Sequence, residues 1–348
     1  MMREISFNYV IMRNGVDYGR IYPASGNAPT VRMDSAGEIK SSLSGTFVDP
    51  GDAVDWLSDE IRAEIVIDGA TEHIGVFLPS SVRKIEDSTS KSVNIEAYDR
   101  CWIVKDTVAE SMYYIAAGTN YIEAVKRLLN DSGIALIQAT PTAETLSEDR
   151  EDWEMGTSYL TIVNQLLSEI NYKQLWFNED GVAILEPESV PSAANIRHTL
   201  DDTTVRSLMF PGISRETDVY RAPNVFICVC SNPDKEDVMV AKSENTNPQS
   251  PLSIAKRGRR IVQVTNVDNI ASQGELQEYA NQLRDKSMIA GETIQVVTAL
   301  RPGYGADDVT SIRYGELSAI CIERAWTMQL QVGGSMAHKL ERVVIELE

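Results

Sequence analysis

Two dipeptides constrain this chain more than any other feature. Asn14-Gly15 and Asp68-Gly69 each sit between apolar runs, in NYVIMRNGVDYGRI and RAEIVIDGATEHIGVFLP. Such a pair supplies the consecutive positive φ angles of a type I′ turn, so each segment predicts a β-hairpin. SVRKIEDSTSKSVNIEAYD predicts two more strands across a polar Asp-Ser-Thr-Ser turn. Short strands at this spacing predict a sandwich or small barrel over the first hundred residues.

The pattern then changes. In NYIEAVKRLLNDSG, Tyr121, Val125, Leu128 and Leu129 recur at helical spacing. Asn120 is placed to cap this helix, with Glu123 as the reciprocal partner of a capping box, and Gly133 ends it. A strand, IALIQA, follows. In WEMGTSYLTIVNQLLSEINYKQLWFNEDGVAILEP, Tyr159, Val163, Leu166, Leu167 and Ile170 line a second helix. KQLWF and VAILEP then pair across the Asn178-Glu179-Asp180-Gly181 turn. This is a small α/β domain over residues 106–199, between β-rich parts at 1–105 and 200–348. In the last part NVFICVCS and EDVMVAKS predict neighbouring strands joined through Pro233-Asp234, and RRIVQVTNV another. One helix interrupts, with Leu276, Tyr279, Ala280 and Leu283 on a face, and strands continue to the C-terminus. The expected class is mixed α+β and β-rich.

A formal charge of −19 and a pI near 4.6 disfavour nucleic acid and anionic lipid as partners. No apolar run reaches the roughly 18 residues that span a bilayer, and MMREISFNYV lacks the apolar core of a secretory signal. Cys101, Cys228, Cys230 and Cys321 read as buried thiols of a reducing compartment. Phe226, Cys228 and Cys230 alternate with Val225, Ile227 and Val229, so both faces of that strand are apolar and it is expected to be buried on both sides.

Catalytic fingerprints do not appear. His73, His198 and His338 lie far apart, no metal-ligand spacing or phosphate loop occurs, and Gly303-Tyr304-Gly305 reads as a turn. Glu179-Asp180, Asp201-Asp202 and Asp307-Asp308 are the adjacent carboxylates a glycosidase could use, but each sits beside a predicted turn, where solvated Asp is the expectation. No catalytic, cofactor or metal residue is assigned. The candidates for subunit contact are the cations Lys256, Arg257, Arg259 and Arg260, the loop tryptophan Trp56, which otherwise packs back on its own domain, and Trp176, which alternates away from Leu175 and Phe177 to face another domain or subunit. The ordinary reading of the cation run is a solvated loop.

Four segments in order carry a resemblance: SVNIEAYDRCWIVKD, NYIEAVKRLLNDSGI, WEMGTSYLTIVNQLLSEINYKQLWFNEDG, and YANQLRDKSM followed by ALRPGYGADDVTSIRYG. Together they resemble the baseplate hub (tail hub) proteins of bacteriophage tails and contractile injection systems, the late control protein D and VgrG hub-like family. The resemblance implies two small β-barrel-like domains flanking the α/β domain, the first completed by a strand from beyond residue 200. It implies a non-enzymatic homotrimeric ring at the tail tip, adapting a six-fold tail tube to a three-fold spike. The implied partners are its own copies, the tail tube or distal tail protein, the spike, the tape measure protein, and a baseplate wedge or LysM-type tail protein. No cofactor, nucleic-acid specificity or membrane insertion is implied. The implied place is the tail of a virion or phage-like particle assembled in the host cytoplasm. The chain departs from fused relatives in carrying no lysozyme-like, peptidase or LysM-like segment, so a spike or wall-degrading enzyme is expected to be a separate chain. The alternatives are a tail-associated glycosidase or peptidase, and a carbohydrate-binding tail-tip module.

Overall fold

The computed structural model describes residues 4–86, 90–204, 207–217, 222–230, 238–248, 250, 252–267, 272–288 and 291–343. Strands hold 48% of the residues and helices 16%, so the β-rich class is what is observed. Both predicted tight turns form. Asn14 (φ 53°) and Gly15 (φ 75°) join strands Ile5–Arg13 and Val16–Ile21, and Asp68 (φ 50°) and Gly69 (φ 85°) join Glu60–Ile67 to Ala70–Glu86. The expected Asp-Ser-Thr-Ser turn and the Pro233-Asp234 connection fall on residues outside the described ones.

The two β-rich parts share one sheet. Its hydrogen-bonded path runs Met209–Thr217, Gly291–Ala299, Ser335–Val343, Leu317–Gln329, Thr30–Asp34, Ser41–Val48, Lys91–Tyr98, Ala70–Glu86, Glu60–Ile67, Ile5–Arg13, Val16–Ile21. His198–Asp201 and Val309–Tyr314 join it beside Leu317–Gln329. The crossing between first and last thirds is the antiparallel pairing of Ala325–Gln329 with Thr30–Asp34. Long strands make this possible by changing partners at bulges, which bend and twist a strand. Leu317–Gln329 bulges between Glu323 and Ala325, and Ala70–Glu86 between Pro79 and Ser81. The far end of the path curls back until Pro23 bridges Phe47, with Val48 N–H donating to the Tyr22 carbonyl at 2.9 Å. No closed barrel is found among the described residues.

The inward side of the first third packs Tyr9, Ile11, Leu43, Phe47, Ile61, Ile65 and Phe77, all 0–1% exposed. The same core takes in Trp326, Met328 and Met336 of the last third, so apolar burial as well as the ladder ties the two parts together.

The middle α/β region has its own core. Helices Tyr121–Asp131 and Tyr159–Glu169 bury Val125, Leu128, Leu129, Val163, Leu166 and Leu167 against a sheet of Trp176–Phe177, Ala183–Leu185 and Ile137–Ala139. Asn120 caps the first helix, its side-chain oxygen accepting from Ile122 N–H (3.0 Å) and Glu123 N–H (3.3 Å). The reciprocal half of the expected capping box is absent, because the Glu123 carboxylate pairs with Lys126 one turn on. Ser158 caps the second helix.

A small unit within the last third was not foreseen. Val225–Cys230 is the centre of a three-stranded sheet, antiparallel to Met239–Glu244 and parallel to Val262–Val267. Helix Gln273–Met288 covers one face, where Cys228, Cys230, Ala241, Leu276 and Ala280 form a separate core. The expectation of two-sided burial holds at Val225, which is 1% exposed, and fails further along the strand. On the other face Ile227 and Val229 are only half-buried, and their neighbours Val240 and Val264 are 52% and 61% exposed.

Candidate interaction surfaces

Trp176 is the first predicted contact residue whose place is clear. Leu175 and Phe177 point into the middle core while Trp176 enters the large core with Ile184, Tyr304, Ala306 and Trp326. At 7% exposure it is enclosed by its own chain, so the face turned away from Leu175 and Phe177 meets the first and last thirds. Its ring lies against Gly305, where an added Cβ would sit 2.8 Å from the indole. About 20 Å³ remains in the crevice between Trp176, Phe77, Trp326 and Gly305, room for roughly one water.

The hairpin turn beside Trp176 docks on the first third. Asp180 meets His73 Nδ1 at 2.6 Å, and the Gly181 carbonyl accepts from Arg100 Nη1 at 2.8 Å. Arg100 also makes a two-point ion pair with Glu60, both bonds 2.7 Å. Lys40 is buried next to this joint and donates to Ser35 O, Gly37 O and Gln174 Oε1, each at 2.7 Å; burial pushes its pKa down. The Asp180-Gly181 end of the turn therefore ties the middle α/β region to the first third.

A buried ionic group beneath the Tyr304 loop has the residue types of chemistry but not the access. Asp308 is 2% exposed and accepts from Arg197 (2.6 Å) and Gly305 N–H (2.7 Å), with His198 Nε2 at 2.9 Å. Burial pushes its carboxyl up, but these partners outweigh burial and hold it at about 2. Tyr304 stacks on His198 with centroids 3.8 Å apart, and burial raises its hydroxyl to about 12. Across the Tyr304 ring, His338 Nδ1 meets Glu323 at 3.1 Å and His338 Nε2 meets Thr298 at 3.0 Å. Burial raises the Glu323 carboxyl. The solvated reading of Asp307-Asp308 is thus wrong for Asp308, whose carboxylate is buried with Arg197, His198 and the Gly305 amide in place of water. Asp201 and Asp202 behave as turn residues: Asp201 accepts from Thr203 and Asp202 from Gly315 N–H. Among the described residues no group of three or more His, Cys, Asp or Glu could hold a metal ion, and all four cysteines are buried thiols.

Trp56 and the cations are the predicted contacts that remain near solvent. Trp56 turns inward and packs partly on the large core. The loop around it, DPGDAVDWLSDE from Asp49 to Glu60, is fixed by its own carboxylates. Asp55 accepts from Leu57 N–H and Ser58 Oγ, and buried Asp59 accepts from Asp55 N–H and, through both oxygens, from Arg13 at 2.7 and 2.6 Å. Arg13 holds the Asp59 carboxyl below its ordinary range. Leu57 stands 93% exposed on this hydrogen-bonded loop. In the sequence Leu57 is masked by the more conspicuous tryptophan beside it.

The cation run belongs to the small unit. It begins in the short helix Ile254–Arg257, which Ser253 caps and Gly258 (φ 63°) ends. Arg257 is half-buried and donates to the Ala222 carbonyl, while Lys256, Arg259 and Arg260 are exposed. Arg260 and Lys242 share the carboxylate of Glu244. That leaves two cations on one anion at the edge of the open valine face. The structure does not bring the cations to Trp56 or Trp176 in one place: they lie on separate units of the chain.

No protein-family model and no curated protein sequence matches this chain. Solved structures do match, end to end. The tail protein from Neisseria meningitidis MC58 covers 97% of both chains at 15% identity and a TM-score of 0.68. The fold is shared with tail proteins. The prophage MuSo2 43 kDa tail protein from Shewanella oneidensis aligns over 97% of this chain and 98% of its own, at 9% identity and a TM-score of 0.68. The E. coli c3393 protein is a type VI secretion component, itself described as similar in structure to the T4 tail proteins gp27 and gp5. It covers 97% of this chain and 77% of its own at 9% identity and a TM-score of 0.51. Identities this low establish common architecture and nothing finer.

Proposed function

We propose that this chain is a structural hub protein at the tail tip of a phage or phage-like particle, with no catalytic role. The observation that carries the reading is the match of nearly the whole chain, in order, to a fold whose solved examples are tail proteins. The architecture supports it. Two β-rich parts joined by one sheet and braced by the middle domain make a stiff body. Its residues of chemical interest, Trp176, Asp308, His198 and Glu323, are used inside as braces. In this reading residues 1–105 and 200–348 act as two similar barrel-like rims on either side of domain 106–199. Three copies close into a ring, whose six rims face a six-fold tube or distal tail protein and whose three-fold side takes a spike. The tape measure protein and a wedge or LysM-type tail protein are its further neighbours. A cyclic trimer is the closed symmetry that such matching needs. Negative-stain images of the purified protein test this. Three-fold rings are expected, and a particle without rotational symmetry that cleaves peptidoglycan would replace the hub with a tail-associated enzyme.

A further inference from the structure

The open face of the small unit and the Leu57 loop are complementary in three respects. The first is apolarity. On the open face Val229 pairs with Val240 and Ile227 with Val264, and Val240 and Val264 are each more than half exposed; at the end where Val225 is buried, its neighbour Val262 is still half exposed. Contiguous exposed valines on a sheet face are what a soluble chain ordinarily covers. The second is charge. Residues 222–288 carry eight Lys and Arg against eight Asp and Glu, so the whole −19 falls on the rest of the chain. The face is edged by Lys242, opposite Ile227 in the ladder, and by Arg260, two cations that share the single carboxylate of Glu244 and leave the edge with one net positive charge. The loop Asp49–Glu60 has five carboxylates and no cation, with Asp52 and Asp55 exposed. The third is preorganisation. Asp55, Asp59 and Arg13 hold the loop rigid with Leu57 outermost, so little ordering is lost when it binds.

We propose that the valine face of the small unit receives the Leu57 loop of a second copy of this chain. Leu57 lies over Ile227, Val229 and Val264, and Asp52 and Asp55 meet the Lys242 and Arg260 edge. Two different patches meet, so the contact is head-to-tail, the kind that closes into a ring. It rests on the ring reading above, and it names the surfaces that make the joint.

Complementation of two defective variants tests it. Leu57→Asp spoils the loop and keeps the face; Val264→Asp spoils the face and keeps the loop. Both positions are exposed, so each variant should fold with an unchanged circular dichroism spectrum. In sedimentation velocity, each alone should associate roughly thirtyfold more weakly than wild type, as a lost central anchor does. Mixed in equal amounts they should form a 1:1 pair and stop there, because one intact joint remains between them. If wild type assembles and both variants assemble equally well, or the mixture forms no pair, the joint lies elsewhere and the ring reading survives. If wild type does not associate at any concentration, both fail together.

Discussion

Buried carboxylates set how single residues respond to pH, and two of them respond with opposite signs. Asp99 accepts from Ser41 N–H (2.6 Å) and Cys101 N–H (2.9 Å), yet burial raises it to about 6. Between an unfolded pKa of about 4 and that value, the folded chain binds the extra proton, so stability falls as pH rises. Asp308, held at about 2, does the reverse. Its contribution is complete above about 4 and is lost as pH drops through about 2. Asp99→Asn should therefore flatten the fall in urea midpoint between about pH 4 and 6, even though its NH2 group replaces one of the two accepted bonds with a donor facing a donor. Asp308→Asn should cost about 3 kcal/mol near neutrality, since it takes the charged acceptor away from Arg197 and replaces one accepting oxygen with a donor inside the protein. Gly305→Ala should cost about 1–3 kcal/mol through its clash with Trp176, and calorimetry would show it as a lowered melting temperature.

Elements formed where their information is local. The Asn14-Gly15 and Asp68-Gly69 turns and the Asn120 cap depend on neighbours within a few residues, and they stand as the sequence predicts. Asn120 also donates to the Thr142 and Glu144 carbonyls, so Asn120→Ala should lower stability by about 1–2 kcal/mol in chemical denaturation, at the upper end for a cap. Partners far along the chain were not legible. The pairing of Ala325–Gln329 with Thr30–Asp34 joins segments nearly three hundred residues apart, and neither strand carries a mark of the other. Val225–Cys230 shows two apolar faces whether one or both are covered, and only the single helix Gln273–Met288 decides it. Asp308 looks like any turn aspartate until Arg197 and His198 arrive from another strand. The candidate surface was half legible: the cations stood out by charge, whereas Leu57 was hidden beside a more conspicuous tryptophan. The small unit has a separate core of few side chains, so its backbone amides should exchange hydrogen faster than those of Ile5–Arg13.

At the scale of the whole molecule, stiffness and charge set what assembly requires. The first and last thirds share a ladder and a core, so they should unfold in one transition rather than two. Three copies bring together three times the −19 of one chain. Long-range repulsion between them is screened within about 8 Å at physiological salt but reaches about 30 Å at 0.01 M. Association should accordingly be weaker at about 0.01 M than at about 0.15 M salt, the opposite of a contact driven by ion pairs alone. Sedimentation velocity at about 0.15 M salt, over a range of protein concentrations, tests the central claim most directly. A species of three times the 38.6 kDa chain mass, weakened at low salt, is the predicted result. A species of 38.6 kDa at every concentration and salt would contradict it.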